Sequence, residues 1–218
     1  MYSVEDQVGN FILNLEGEGY KLFPYIPNTK WKPGDQILYS GPYWDDQEPT
    51  AAITAILTGK WLPAGENVNK FERAFSKQFE FDHSVMVNSG SSANLVMIAA
   101  LKKYFGWKDG DEIIVCACGF PTTINPIIQN GLKPVFVDIN MDDLNWDLSQ
   151  VEEKISDRTV AAFSSPVLGN PYDFDKFMEI INANGLKYIA DNCDALGSKW
   201  RGEFLTKNAV AASCSFYP

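Results

Sequence analysis

From residue 84 onward, short apolar runs alternate with amphipathic helical stretches, and this rhythm leaves the chain very few folds. Residues 84–87, 112–116, 134–137, 160–164 and 186–190 are compact runs dominated by apolar residues, too short to be buried helices. Between them lie helical patterns over 91–105, 121–129, 148–155 and 174–182. Strand, helix, strand in repeated succession calls for parallel pairing through helical crossovers. The expected fold class is therefore α/β, a mostly parallel sheet flanked by helices. A shorter strand pair around 195–200 and 212–216 closes the pattern. Helices are also predicted over 45–57 and 67–79, the second carrying Val68, Phe71, Phe75 and Phe79. Residues 1–45 read differently. Val4, Val8, Phe11, Ile12 and Leu15 recur at helical spacing, then a loop rich in Pro, Lys and Tyr runs to Pro42. The expected organisation is an N-terminal helix and loop extension over 1–45 and an α/β domain over 46–218.

Charge and composition exclude several classes. The 218 residues carry a formal net charge of −10, which repels a phosphate backbone and excludes a nucleic-acid partner of the usual basic kind. No apolar run approaches the roughly 18 residues of a membrane span, and the N-terminus lacks the basic and apolar segments of a secretory signal. No membrane partner and a cytoplasmic location are expected. The single histidine, His83, cannot build a multi-histidine zinc site. The cysteines at 116, 118, 193 and 214 lie in apolar, strand-like contexts and read as buried free thiols, with no metal site among them.

In open α/β sheets, ligands bind beyond the carboxyl ends of the strands, so the segments at 88–94, 118–125, 165–171, 191–195 and 215–218 carry the candidate chemistry. In NSGSSAN (88–94), Gly90 permits a tight turn, and Ser91 and Ser92 stand where a helix begins. Exposed amides and the helix dipole make that place a phosphate cradle; an ordinary serine cap is the plainer reading. It has neither the P-loop ending nor the dinucleotide spacing. Phe120 follows a strand and reads either as a plate for a planar ligand or as core. Asp191, directly after an apolar strand, needs a cationic or hydrogen-bonding partner if buried, or else caps the next turn. Ser215 stands at a further strand end. Phosphate cradle, aromatic plate and buried carboxylate on one rim suit a planar, phosphorylated, nitrogen-containing ring such as pyridoxal phosphate.

Several ordered motifs then carry a resemblance: GKWLPAGENVNKFE, NSGSSAN, GDEIIV, PVFVDIN followed by LNWD, LGNP, DNCDALG and SFYP. From about Trp44 to its last residue the chain resembles the DegT/StrS family of sugar-modifying pyridoxal-phosphate enzymes. GFPTTINPIIQNG, LGNP and DNCDALGS look most like the nucleotide-sugar 3-dehydratases of that family. The resemblance implies the large domain of the aspartate aminotransferase fold (fold type I), and pyridoxal or pyridoxamine 5'-phosphate as cofactor. It implies that Gly90, Ser91 and Ser92 hold the cofactor phosphate with Ser215, and that Phe120 stacks on the ring. Asp191 would pair with the ring nitrogen, and Asp194 would lie near the phenolic oxygen. The implied reaction is loss of the C3 hydroxyl of a nucleotide-linked 4-keto-6-deoxysugar in polysaccharide biosynthesis, by a homodimer.

Carried further, the resemblance puts the family's Schiff-base lysine, or the histidine that replaces it in the dehydratases, two positions beyond Pro218. The 218 residues are thus expected to stop before that position and before the small C-terminal domain, with no catalytic residue within them. Lys199 and Lys207 do not match it. One cysteine of the [2Fe–2S] cluster found in some relatives would fall at Cys193 and the rest past the end, so no cluster is expected. Pro166 and Val167, Ala190, and Ala209 with Val210 depart from the family pattern. A sugar aminotransferase, and a non-catalytic cofactor-binding or dimerising remnant, are the alternative functions.

Overall fold

The computed structural model describes residues 2–20, 32–35, 45–60 and 65–217. They fall into two compact units, Met1–Ala74 and Phe75–Tyr217. In the first, α1 (Val4–Gly17) starts where Ser3 and Asp6 cap one another. Ser3 Oγ accepts the Asp6 amide at 3.0 Å, and Asp6 Oδ2 accepts the Ser3 amide at 2.9 Å. Val8 and Ile12 of the predicted stripe are buried, whereas Val4 and Phe11 are exposed. α2 (Gln47–Thr58) meets α1 at Gly9, where an added Cβ would touch Thr50 at 3.7 Å. α3 (Glu66–Phe79) begins in the first unit and ends in the second. Most of the predicted loop up to Pro42 lies outside the described residues.

The second unit runs through α4 (Gly90–Phe105), β1 (Glu112–Cys116), α5 (Pro121–Gln129), β2 (Lys133–Val137), β3 (Thr159–Ser164), α6 (Phe174–Ala183), β4 (Lys187–Asp191), β5 (Lys199–Trp200), β6 (Glu203–Phe204) and β7 (Ala211–Ser213). Five strands form one sheet in the order β2-β1-β3-β4-β7, with every neighbouring pair parallel. From β1 the chain steps outward to β2, then returns to β1's other side to form β3. That reversal opens a crevice at the strands' carboxyl ends. Both faces of the sheet are covered. Ile114 and Cys116 point into one core with Trp146, Phe177 and Tyr188; Ile113 and Val115 point into another with Ile98, Ile127 and Phe163. Burying a side chain such as Phe177 contributes roughly 1.5–3 kcal/mol. That exceeds the few tenths of a kcal/mol separating most residues in helix propensity, so packing fixes the layers.

The predicted α/β class, with its parallel sheet, is what the structure has, and three segments differ from their expected form. Residues 84–87 are not a strand, and Val85 is 81% exposed. A strand needs a neighbour to take its N–H and C=O groups, and no ladder among the described residues reaches this segment. Residues 148–155 are turns and one 3₁₀ turn, Glu152–Lys154, in place of a helix. Asp147 accepts the Ser149 amide at 3.0 Å and the Gln150 side chain at 2.7 Å, and such local bonds compete with helical ones. The expected pairing of 195–200 with 212–216 does not form. Only Lys199 and Trp200 are strand there, paired antiparallel with β6, while β7 joins β4 in the main sheet. Gly197, at φ +86°, turns the chain before β5.

Candidate functional site

Because the strands are parallel, the segments following them share one rim. On it the first turn of α4 meets the end of the chain's last strand. A Cβ added to Gly90 would lie 2.6 Å from Ser215 Cβ, 3.0 Å from its Oγ and 3.3 Å from Cys193 Sγ. Gly90 has ordinary helical geometry, so glycine is required here by the close approach rather than by φ. Segments 88–94, 191–195 and 215–217 are thereby brought together. Ser89 caps α4: its Oγ accepts the Ser92 amide at 3.1 Å, and its carbonyl accepts the Ala93 amide at 2.9 Å. The amides of Gly90 and Ser91 are left at the positive end of the helix without an intrahelical partner. Ser91 is exposed, Ser92 is half-buried, and Ser215, beside Gly90, is half-buried.

Asp191, the last residue of β4, is 3% exposed. Its Oδ2 accepts Asn94 Nδ2 at 2.9 Å and Thr123 Oγ1 at 2.6 Å, and its Oδ1 accepts the Cys193 amide at 3.3 Å. Every one of these donors is neutral. No ion pair among the described residues includes Asp191. Glu112, at the other end of the sheet, shows what a buried carboxylate ordinarily has. Lys133 reaches it at 2.8 Å and Ser156 at 2.6 Å, and the lysine bond chiefly holds its carboxyl below the usual range. A carboxylate desolvated without a cation is costly, and a cationic N–H is the partner that would relieve it.

The other predicted residues surround this pair in different ways. Phe120 ends the loop before α5 and is 69% exposed, so of its two readings the core one is overturned. An apolar ring left at a strand end in this way is free to cover a planar ligand. Asp194 is exposed and accepts the Tyr217 hydroxyl. The LGNP loop is pressed onto the turn bearing Asp194: a Cβ on Gly169, at φ +73°, would meet the Asp194 carbonyl at 2.9 Å. The cysteines are not uniformly buried as expected. Cys118 is exposed because β1 ends at Cys116, and Cys193 and Cys214 are half-buried. Burial first, and then the Asp191 charge, pushes the Cys193 thiol well above its ordinary range; burial pushes Cys214 up to about 11. Both are protonated and unreactive at neutral pH.

Three residues of the site carried no role in the sequence reading: Asn94, Thr123 and Asn145. Asn94 and Asn145 are both fully buried. Asn145 fixes the LGNP loop, donating to the Asn170 carbonyl at 3.0 Å and accepting the Val167 amide at 3.0 Å. The available signal was Asn94 itself, a polar residue on the same helical face as Ile98 and Leu101.

Known proteins extend this picture. A family model described as the DegT/DnrJ/EryC1/StrS aminotransferase family matches residues 44–218. The dTDP-4-dehydro-2,6-dideoxy-D-glucose 3-dehydratase of Saccharopolyspora spinosa is 38% identical over 186 residues, covering 84% of this chain and 40% of its own length. The lipopolysaccharide biosynthesis protein RfbH of Salmonella typhimurium is 32% identical over 220 residues, covering 99% of this chain and 49% of its own. The chain thus spans less than half the length of these relatives. Among solved structures, the E. coli GDP-4-keto-6-deoxy-D-mannose-3-dehydratase with bound hydrated PLP superposes with a TM-score of 0.71 at 38% identity, covering 75% of this chain and 42% of that one. The expected resemblance and the expected fold both hold. With its model matched over four-fifths of the sequence, the chain belongs to the DegT/DnrJ/EryC1/StrS aminotransferase family.

Proposed function

We propose that this chain builds the cofactor-binding rim of an enzyme that uses pyridoxal or pyridoxamine 5'-phosphate to remove the C3 hydroxyl of a nucleotide-linked 4-keto-6-deoxysugar. The observation that carries the cofactor reading is Asp191: a carboxylate 3% exposed, held by neutral donors, on the rim where Gly90 meets Ser215. The residues fit the group. A protonated pyridine nitrogen supplies the missing cation, and the amides of Gly90 and Ser91, with the hydroxyls of Ser91, Ser92 and Ser215, suit its phosphate. Phe120 would cover the ring, and Asp194 would stand near the phenolic oxygen. When bound, the cofactor supplies the amine and the electron sink that C3 dehydration requires. The dehydratase reading follows the relatives' own activities, which act on nucleotide-linked deoxysugars. The family's description names aminotransferases, and an aminotransferase using the same rim is the second reading. The proposal includes residues 1–45 as an extension to a large domain over 46–218, a homodimer and a cytoplasmic location.

None of the residues assigned to the rim is a lysine. Lys199 Nζ lies 4.5 Å from the Phe204 ring, and Lys207 pairs with Glu203. The 218-residue chain is therefore expected to bind pyridoxal phosphate one-to-one and without a covalent bond. Borohydride reduction of the loaded chain followed by peptide mass spectrometry checks this. Recovery of unmodified peptides with bound cofactor supports the reading; a pyridoxyl group on any lysine contradicts it.

A further inference from the structure

Asn94 and Thr123 meet on one oxygen of Asp191, and the way they do so has a direction. Asn94 Nδ2 donates to the Thr122 carbonyl at 3.0 Å and to Asp191 Oδ2 at 2.9 Å. Both partners are pure acceptors, so the amide cannot be turned over without placing its oxygen against them. Asn94 Oδ1 is consequently left buried with no hydrogen-bond partner among the described residues. A leucine there would extend the apolar face of Ile98 and Leu101, but it would take a donor from Asp191 and from the Thr122 carbonyl, whose helical donor position is filled by Pro126. An asparagine that keeps an orphaned acceptor at such a place is held for its donor rather than for packing. Thr123 Oγ1 adds a second donor to the same oxygen at 2.6 Å. Asp191 Oδ2 thus carries two side-chain donors, Oδ1 takes the longer contact of 3.3 Å from the Cys193 amide, and the Cys193 thiol also bonds the carboxylate.

We propose that Asn94 and Thr123 are positioning residues: they occupy Oδ2 of Asp191 with neutral donors, fix the plane of the carboxylate, and leave Oδ1 for the cationic N–H of a heteroaromatic ring. The proposal rests on the cofactor reading above. Two donors on one oxygen fix the carboxylate's rotation about its Cβ–Cγ bond. Both side chains spend their donors on Asp191 Oδ2 and the Thr122 carbonyl, so the role assigned to each is exerted through Asp191.

The test compares pyridoxamine phosphate with its 1-deaza analogue, which keeps the phosphate and ring shape and has C–H in place of the ring nitrogen. Affinities are read by tryptophan fluorescence on the full 218-residue chain, its T123V, T123S and N94L variants, and D191N. T123V is nearly isosteric and keeps the fold, and T123S restores the hydroxyl. The wild type is expected to prefer pyridoxamine phosphate over the analogue, and D191N to lose that preference. T123V and N94L are expected to weaken pyridoxamine phosphate by about tenfold, the scale of outer-partner losses, while leaving the analogue unchanged; T123S restores wild-type affinity. The ¹⁵N signal of labelled ring nitrogen moves toward the unprotonated position in T123V. Equal weakening of both ligands, or no change in either, overturns the positioning role. A wild-type chain that binds the two ligands equally, or neither, overturns the cofactor reading itself.

Discussion

Asp191→Ala is expected to weaken pyridoxamine phosphate binding by about a hundredfold or more. Removing one partner of a buried ion pair costs about 3–5 kcal/mol, and each 1.4 kcal/mol is tenfold in affinity. A ring nitrogen can shed its proton when its anionic partner is lost, which caps the penalty and favours the lower end of that range. The substitution also strips Thr123 Oγ1 of its acceptor and leaves Asn94 Nδ2 with the Thr122 carbonyl alone. Asp191→Asn separates the two consequences. It keeps the side-chain volume and an oxygen for Thr123, but carries no charge. Both variants should lose affinity by similar factors, with Asp191→Asn unfolding at the wild-type denaturant midpoint. Unchanged affinity in the two of them would remove the carboxylate from the site.

Gly90→Ala is expected to impair both folding and binding. In a helix interior, replacing Gly by Ala usually stabilises by about 0.5–1 kcal/mol. Here the new methyl would sit 2.6 Å from Ser215 Cβ. Overpacking of that kind costs roughly 1–3 kcal/mol, so the clash outweighs the gain in propensity. Relief can come only by moving the first turn of α4 or the segment after β7, which are the two pieces assigned to the phosphate. Net destabilisation is therefore expected together with at least a tenfold loss of cofactor affinity, read by urea unfolding and by titration of the chain. A variant as stable and as tight-binding as the wild type would show that Gly90 and Ser215 do not form a common cradle.

Much of this architecture was legible in the sequence because it depends on local order. The bounds of β1 and α5 fall where expected, β1 because its whole apolar run is buried from both faces and α5 because Pro121 suits a first helical turn. The strand-end rule likewise directed attention to the turns around Gly90, Phe120, Asp191 and Ser215. What stayed hidden depends on contacts between distant parts of the chain. Asn94 and Asp191 are 97 residues apart, so nothing in the spacing reveals their hydrogen bond. The approach of Gly90 to Ser215 is of the same kind. Residues 84–87 have a strand's composition and lack a strand's neighbour among the described residues. In 148–155, Asp147 binds its own following residues and defeats a plausible helical pattern.

The start of α4 and the turns following β1, β4 and β7 are expected to converge on one phosphorylated pyridine ring. A crystal structure of the chain grown with pyridoxamine phosphate tests it most directly. The expected result has the phosphate against the amides of Gly90 and Ser91 and the Ser215 hydroxyl, with the ring nitrogen on Asp191 Oδ1. A ligand seated elsewhere, or one whose phosphate occupies the α4 terminus while its ring nitrogen points away from Asp191, would contradict the account.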